Sequence, residues 1–207
     1  MQEKRSGWII SGNNMRLLQK NYAEKSDEEL MSLLVRSEQA AFDELYRRYA
    51  KPLLNFFFRM LGGEREKAED FLHDLFLKII EKPESFDRSR RFNTWFYNIA
   101  ANMVKNEYRN AEIRRRHEQF LGNIQSETEE LNSESIDKQQ FENCLQNEIA
   151  KLDAETKILF NLRFREEMSV KQIAETLEIP EGTVKSRLHH LAKNLAKKLS
   201  IFKLELN

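Results

Sequence analysis

The stretch MSVKQIAETLEIPEGTVKSRLHHLAKNLAKKL, Met168 to Leu199, decides how this chain folds. Ser169 precedes a helical run and Gln172 stands three residues on. At that spacing the hydroxyl accepts from the third helical N–H, and the Gln side chain reaches back to the cap N–H. Ile173, Ala174 and Leu177 share one face, and Ile179-Pro180 closes the helix. A residue before proline is steered out of αR, while proline suits the first turn of a new helix. Val184, Leu188, Leu191, Leu195 and Leu199 then recur at threes and fours, which makes a buried stripe. Their neighbours Lys185, Ser186, Arg187, His189, His190, Lys193, Lys197 and Lys198 must face outward, and no Asp or Glu occurs between Gly182 and Lys203. The pattern predicts a helix-turn-helix whose second helix suits the phosphates and base edges of a DNA major groove. A plain three-helix packing unit, with lysines complementing the helix dipole, would show much of the same pattern.

The rest of the composition agrees with an all-α reading. In 207 residues there are only 6 glycines and 3 prolines, and strand-like alternation is absent. That length allows two small helical domains without staples. The formal net charge is +0, but it is unevenly spread. Glu118, Glu127, Glu129, Glu130, Glu134, Asp137, Glu142 and Glu148 are set against the single base Lys138, so residues 118–138 are expected to form an acidic flexible linker. The lone Cys144 excludes an internal disulfide framework and a Cys-rich metal site, and points to a reducing compartment, the cytoplasm. No apolar run approaches bilayer length, so direct membrane insertion is not expected. Residues 1–14 lack the apolar core of a signal peptide; residues 1–25 read as a disordered extension, with Met15 as an alternative start.

Ser26 with Glu29 predicts a second capping box, opening a helix through about Arg36. Helices follow over about 40–61 and 64–81, parted by Gly62-Gly63, then a loop over 82–92 and a long helix from about Asn93 to Arg116. The first domain therefore spans 26–117. The second, 139–203, draws its core from Leu145, Ile149, Leu152, Ile158, Leu159 and Leu162 beneath the helix-turn-helix.

Two further patterns carry chemistry. In AEDFLHDLFL, Ala68 to Leu77, and just beyond it, Leu72, Leu75, Phe76 and Ile79 can face the core while Asp70, His73 and Asp74 lie three and four apart outside, giving an acidic stripe suited to docking. From Phe86 to Arg109, Phe92, Trp95, Phe96 and Tyr97 are interleaved with Arg88, Arg90, Arg91, Asn102, Lys105 and Arg109. Stacking faces beside cations hold unpaired bases, at about 1–3 kcal/mol per base. Most of those aromatics equally fit a helical core.

These motifs, in this order, resemble the extracytoplasmic-function group of bacterial RNA polymerase sigma factors. Residues 68–77 resemble A-E-D-L-x-Q-D-x-F-L, residues 92–109 F-x-x-W-L-x-x-I-A-x-N, and residues 169–191 S-x-x-E-I-A-x-x-L-x-I-P-x-G-T-V-K-S-R-L. The resemblance implies a region 2 helical bundle and a region 4 helix-turn-helix. It implies that Asp70, Phe71, Asp74 and Phe76 grip the clamp helices of the polymerase β′ subunit, while the second domain meets the β flap. Ser89, Arg90, Arg91, Trp95, Asn102, Lys105, Asn106 and Arg109 would recognise and open the minus-ten element of promoter DNA. Thr183, Lys185, Ser186, Arg187, His189 and His190 would meet the minus-thirty-five element. An anti-sigma factor is a further implied partner, and the acidic linker would run through the polymerase near the RNA exit path. Departures from the pattern are His73 for Gln, Glu178 for a turn glycine, and His190 for Arg.

A second reading keeps the DNA-binding domain but makes the chain a stand-alone helix-turn-helix activator or repressor, which would bind duplex tightly without polymerase. A third takes His73-Asp74 as a phosphohydrolase metal pair, but further converging histidines are missing. No enzymatic activity, cofactor or metal is expected.

Overall fold

The computed structural model describes residues 22–120 and 138–199, with side chains over 22–116 and 144–199. Apart from a short 3-10 turn, Pro83–Ser85, the regular elements among them are α-helices: α1 (Asp27–Leu34), α2 (Gln39–Met60), α3 (Arg65–Glu81), α4 (Phe92–Phe120), α5 (Lys138–Ala150), α6 (Ala154–Phe164), α7 (Val170–Leu177) and α8 (Glu181–Lys198).

Local chemistry sets the ends. Ser26 Oγ accepts from Glu29 N at 3.2 Å while Ser26 N donates to Glu29 Oε2 at 2.7 Å, the reciprocal box that starts α1. Gly62 and Gly63, at φ 75° and 82°, make the reversal between α2 and α3 in a region closed to most side chains. At the head of α4 the N–H of Phe92 is taken by Glu28 Oε1 at 2.9 Å, so α1 caps a helix far along the chain.

Aromatic packing joins α2, α3 and α4. Phe96 is fully buried, with ring centroids 5.6 Å from Tyr49, 5.3 Å from Phe76 and 5.0 Å from Phe92. In the second domain Ile149, Phe160 and Leu191 form a small cluster, yet Ile158, Leu162, Ile173 and Val184 belong to the same contiguous core as the first domain. The two domains pack against each other.

The described boundaries differ from the expected ones in two places. α4 runs to Phe120, past the arginines expected to end it. Tyr22 donates to Glu38 at 2.5 Å, and Arg48 donates to the carbonyls of Tyr22 and Ala23, so packing already holds residues 22–25 of the expected extension. Residues 1–21, 121–137 and 200–207, with most of the expected linker, lie outside the described residues.

Glu44 lies buried on α2 and accepts a bidentate pair from Arg47, at 2.7 and 2.6 Å, and a third bond from Arg48 at 2.6 Å. These bonds, Arg47's first, hold its carboxyl below the usual range against the opposing effect of burial. A carboxyl lowered on folding contributes stability that is complete above its unfolded value and is lost as pH falls through the folded one. Urea midpoints followed by circular dichroism should therefore lose Glu44's contribution below about pH 4. A Glu44→Gln variant should be less stable at pH 7 by about 1–3 kcal/mol and should lose less on acidification. Parallel acid profiles for the two proteins would refute this.

Candidate nucleic-acid interface

The helix-turn-helix starts where its sequence says it should. Ser169 N donates to Gln172 Oε1 at 2.9 Å and Ser169 Oγ accepts from Gln172 N at 3.2 Å. α7 stops because Glu178 turns into the left-handed region at φ 55°, and the N–H groups of Glu178 and Ile179 both return to the carbonyl of Ala174. Val184 and Leu191 are buried, with Leu188 and Leu195 beside them, so Lys185, Ser186, Arg187, His189 and His190 are exposed and Thr183 sits half-buried in the first turn. Glu181 in the first turn lies 3.9 Å from Lys185, and neighbouring elements supply further acids: Glu155 pairs with Arg187 at 2.8 Å and Glu148 with Lys198 at 2.5 Å. The Arg187 pair is exposed on both sides, so a phosphate can displace it at little cost.

The second cluster surrounds the entry to α4. Asp87 organises the loop by accepting from Ser89 N at 2.9 Å, a bond that lowers its carboxyl below the usual range. Ser89, Arg90 and Arg91 are exposed; Trp95 is half-buried, nearly parallel to Phe96 and 5.1 Å from Phe86. A cleft of about 730 Å³ brings Ser89, Arg90, Arg91, Thr94 and Trp95 together with Lys171, Glu175 and Glu178 of α7 and its turn. Farther along α4, Asn102 donates to Asn98 at 3.2 Å, Arg109 donates to Asn106 at 2.7 Å, and Lys105 is half-buried. Asn98 went unpredicted, although it lies three residues after Trp95 and four before Asn102, on their face.

On α3, Asp70, His73 and Asp74 are exposed, and Phe71 is half-buried against Phe57 at 5.5 Å. Phe76 corrects the expected stripe. It is 2% exposed and packs on Tyr46 at 4.8 Å and Phe42 at 5.8 Å, since four residues after Leu72 and three before Ile79 it falls on the buried face. The apolar groups that do surface there are Tyr46, Leu77 and Ile80. Among the described residues, no three His, Cys, Asp or Glu side chains converge to hold a metal ion, and no helix is long and apolar enough to cross a membrane.

A polar network crosses between the domains. Arg59 Nη2 meets Glu166 Oε1 at 2.5 Å and Arg59 Nε donates to Asn161 Oδ1 at 2.6 Å. Tyr97 donates its hydroxyl to Glu166 Oε2 at 2.6 Å, and Asn98 Nδ2 donates to the carbonyl of Thr176 at 2.7 Å. Burial pushes the Arg59 guanidinium down and the Tyr97 phenol up; Glu166 opposes the first shift and reinforces the second.

Comparison with known proteins agrees with this division. Residues 45–113 match the family Sigma-70 region 2, and residues 142–195 match Sigma-70, region 4. The ECF RNA polymerase sigma factor SigW of Bacillus subtilis is 29% identical over 176 residues, covering 79% of this chain and 91% of SigW. The ECF RNA polymerase sigma factor SigL of Mycobacterium tuberculosis is 32% identical over 167 residues, covering 77% and 89%. In fold, the chain resembles CnrH solved with the cytosolic domain of CnrY, with a TM-score of 0.62, 19% identity and coverage of 86% and 99%. It also resembles the sigma factor RpoE of Bartonella quintana solved with the anti-sigma factor NepR, with a TM-score of 0.59, 19% identity and coverage of 77% and 97%.

The capping box gives a local test of the helix-turn-helix. Ser169→Ala should destabilise the chain by about 1 kcal/mol in urea unfolding, and Ser169→Asp should recover most of the loss. Equal midpoints for Ser169→Ala and the parent would show that the box contributes nothing.

Proposed function

The chain belongs to the extracytoplasmic-function group of RNA polymerase sigma factors, which direct promoter-specific transcription initiation, and we propose how its residues divide that work. The cleft at the head of α4 captures bases of the opened minus-ten strand. Trp95 offers a stacking face there, Ser89, Arg90 and Arg91 meet the backbone, and Asn102, Lys105, Asn106 and Arg109 continue the track along α4. The supporting observation is the convergence of Arg90, Arg91 and Trp95 on one cleft. On α8, Lys185, Ser186, Arg187, His189 and His190 meet the minus-thirty-five duplex, with Thr183 near the phosphates.

Core polymerase is the partner of the α3 face. Asp70 and Asp74 supply its charge, and Phe71, Leu77, Ile80 and Tyr46 its apolar margin, in place of the buried Phe76. The β′ clamp helices are the surface it fits and the β flap the one for the second domain, as the resemblance to the group implies. RpoE of B. quintana was solved with an anti-sigma factor, and we assign such a partner to this chain as well. It works in the cytoplasm, with no catalysis of its own.

Transcription by purified core polymerase on fragments of the source genome, with and without this protein, tests the reading. Specific start sites should appear only with the protein. Arg90→Ala and Trp95→Ala should each cut open-complex formation by about 10-fold, within the 1–3 kcal/mol of a base-holding contact. Lys185→Ala should weaken promoter binding evenly across sequences and lower the salt slope by about 1, whereas Arg187→Ala should relax the sequence preference. Start sites and open-complex yields that ignore Arg90→Ala and Trp95→Ala would end the cleft's assignment.

A further inference from the structure

Two histidines stand side by side on the outward face of α8. His189 and His190 are both exposed, and their ring centroids lie 5.9 Å apart, edge to face. Val184, Leu188, Leu191 and Leu195 hold the opposite side of the helix against the core, so both rings stay on the side that meets DNA.

The permanent cations of the same helix are partly spent. Arg187 meets Glu155 of α6 at 2.8 Å, Lys198 meets Glu148 of α5 at 2.5 Å, and Lys185 lies 3.9 Å from Glu181. Other charged groups on the elements packed against α8 are directed elsewhere. Lys151 pairs with Glu148, Lys157 sits over the Tyr108 ring, Arg163 donates to the Met168 carbonyl, and Glu178 pairs with Arg90. α7 itself carries Lys171 and Glu175, which line the cleft at the head of α4. Among the described residues no carboxylate bonds either imidazole.

We propose that His189 and His190 link promoter binding to proton uptake: the minus-thirty-five duplex holds α8 more tightly as the two imidazoles become charged. This rests on the assignment of that duplex to α8 made above.

Histidine is the side chain that ordinarily changes charge between pH 5 and 8, whereas lysine and arginine as a class stay charged across that range. A phosphate near an imidazole favours its charged form, so protons are taken up as the complex forms. Affinity gained this way is complete below the value of the free ring and is lost as pH rises through the value in the complex. Protonation also makes both ring nitrogens donors, which suits phosphate oxygens and the paired acceptors of a guanine edge. Charges on adjacent rings repel, so the second proton enters less readily than the first and the response is broad. Each ring set against a phosphate displaces about one more counterion, which makes the salt slope itself depend on pH.

The test is the anisotropy of a labelled duplex covering the minus-thirty-five region of a promoter mapped as above. It is titrated with the full chain at several salt concentrations, between about pH 5.5 and about pH 8. Affinity should rise about 5-fold to 20-fold towards the acid end, the scale of two exposed ion pairs. The salt slope should steepen there by about 1 to 2. His189→Gln combined with His190→Gln should flatten both responses. His190→Arg should bind more tightly than the parent at the alkaline end and keep only the response that His189 supplies. Both rings are exposed, so these changes remove no core packing. His73 and His117 are common to all three proteins, and their titration cancels in the comparison. Affinities and salt slopes that change with pH in parallel for the parent and the double variant would overturn the proposal.

Lys185→Ala separates this inference from the reading beneath it. If it weakens the duplex while the double histidine variant follows the parent, only the proton linkage is refuted. If it too leaves binding unchanged, the assignment of α8 falls and the linkage with it.

Discussion

The edge-to-face packing of Phe96 against Tyr49 and Phe76, with Phe92 beside it, is the contact on which both outward-facing surfaces of the first domain depend. Buried aromatic pairs contribute about 0.5–1.5 kcal/mol beyond their area, and their preferred geometry fixes the rotation of each helix as well as its distance. Phe76 orients α3, so Asp70 and Asp74 must face out. Phe92 and Phe96 orient α4, so Trp95 and the arginines before it surround one opening. Truncating Phe96 would leave a void that three helices share, and the two surfaces would lose their register together.

Beside the apolar core that the domains share, the contact between them has a polar part that follows a different rule. Arg59 gives up hydration to reach Asn161 and Glu166, a cost that returns only if the geometry is good and the remaining donors and acceptors are met. Tyr97 meets the second carboxylate oxygen and Asn161 the second edge of the guanidinium, so the network is satisfied on both sides. Such a network adds little net stability over an apolar contact of the same size, but its directionality allows one docking angle where apolar packing would allow several.

Sequence legibility tracks the range of the interaction. The boxes at Ser26 and Ser169 span three residues, and the stripe from Val184 to Leu199 repeats every turn, so both could be read directly. Phe76 could be placed by the same periodicity, which puts it on the Leu72–Ile79 face; its match to a docking motif pulled the other way, and burial prevailed. The expected end of α4 at the arginine run failed because Arg114 finds Glu107, and Arg115 and Arg116 find Glu112, which relieves the like-charge repulsion that would have broken the helix. Nothing local announces Arg59 with Glu166 or Arg90 with Glu178, since these partners are distant in sequence and set by docking. Glu178 stood out only as an acid where a turn glycine is usual, a departure whose meaning needed the cleft beside it.

If closure and minus-ten binding exclude each other, polymerase and DNA are linked through this chain whether or not they touch one another nearby. A partner that shifts a two-state equilibrium does so only by binding one state better, and the coupling is reciprocal. Polymerase, by holding the domains apart on separate subunits, would remove the cost of opening before DNA arrives; DNA seated in the cleft would in turn strengthen the hold on polymerase by the same factor. The exposed α8 face lies outside this linkage, so the free protein could still visit duplex weakly through a salt-sensitive contact while remaining unable to hold an opened strand. Strand capture would then be confined to the one assembly that can use it, by a carboxylate in a turn and a half-buried pair at a distance from it.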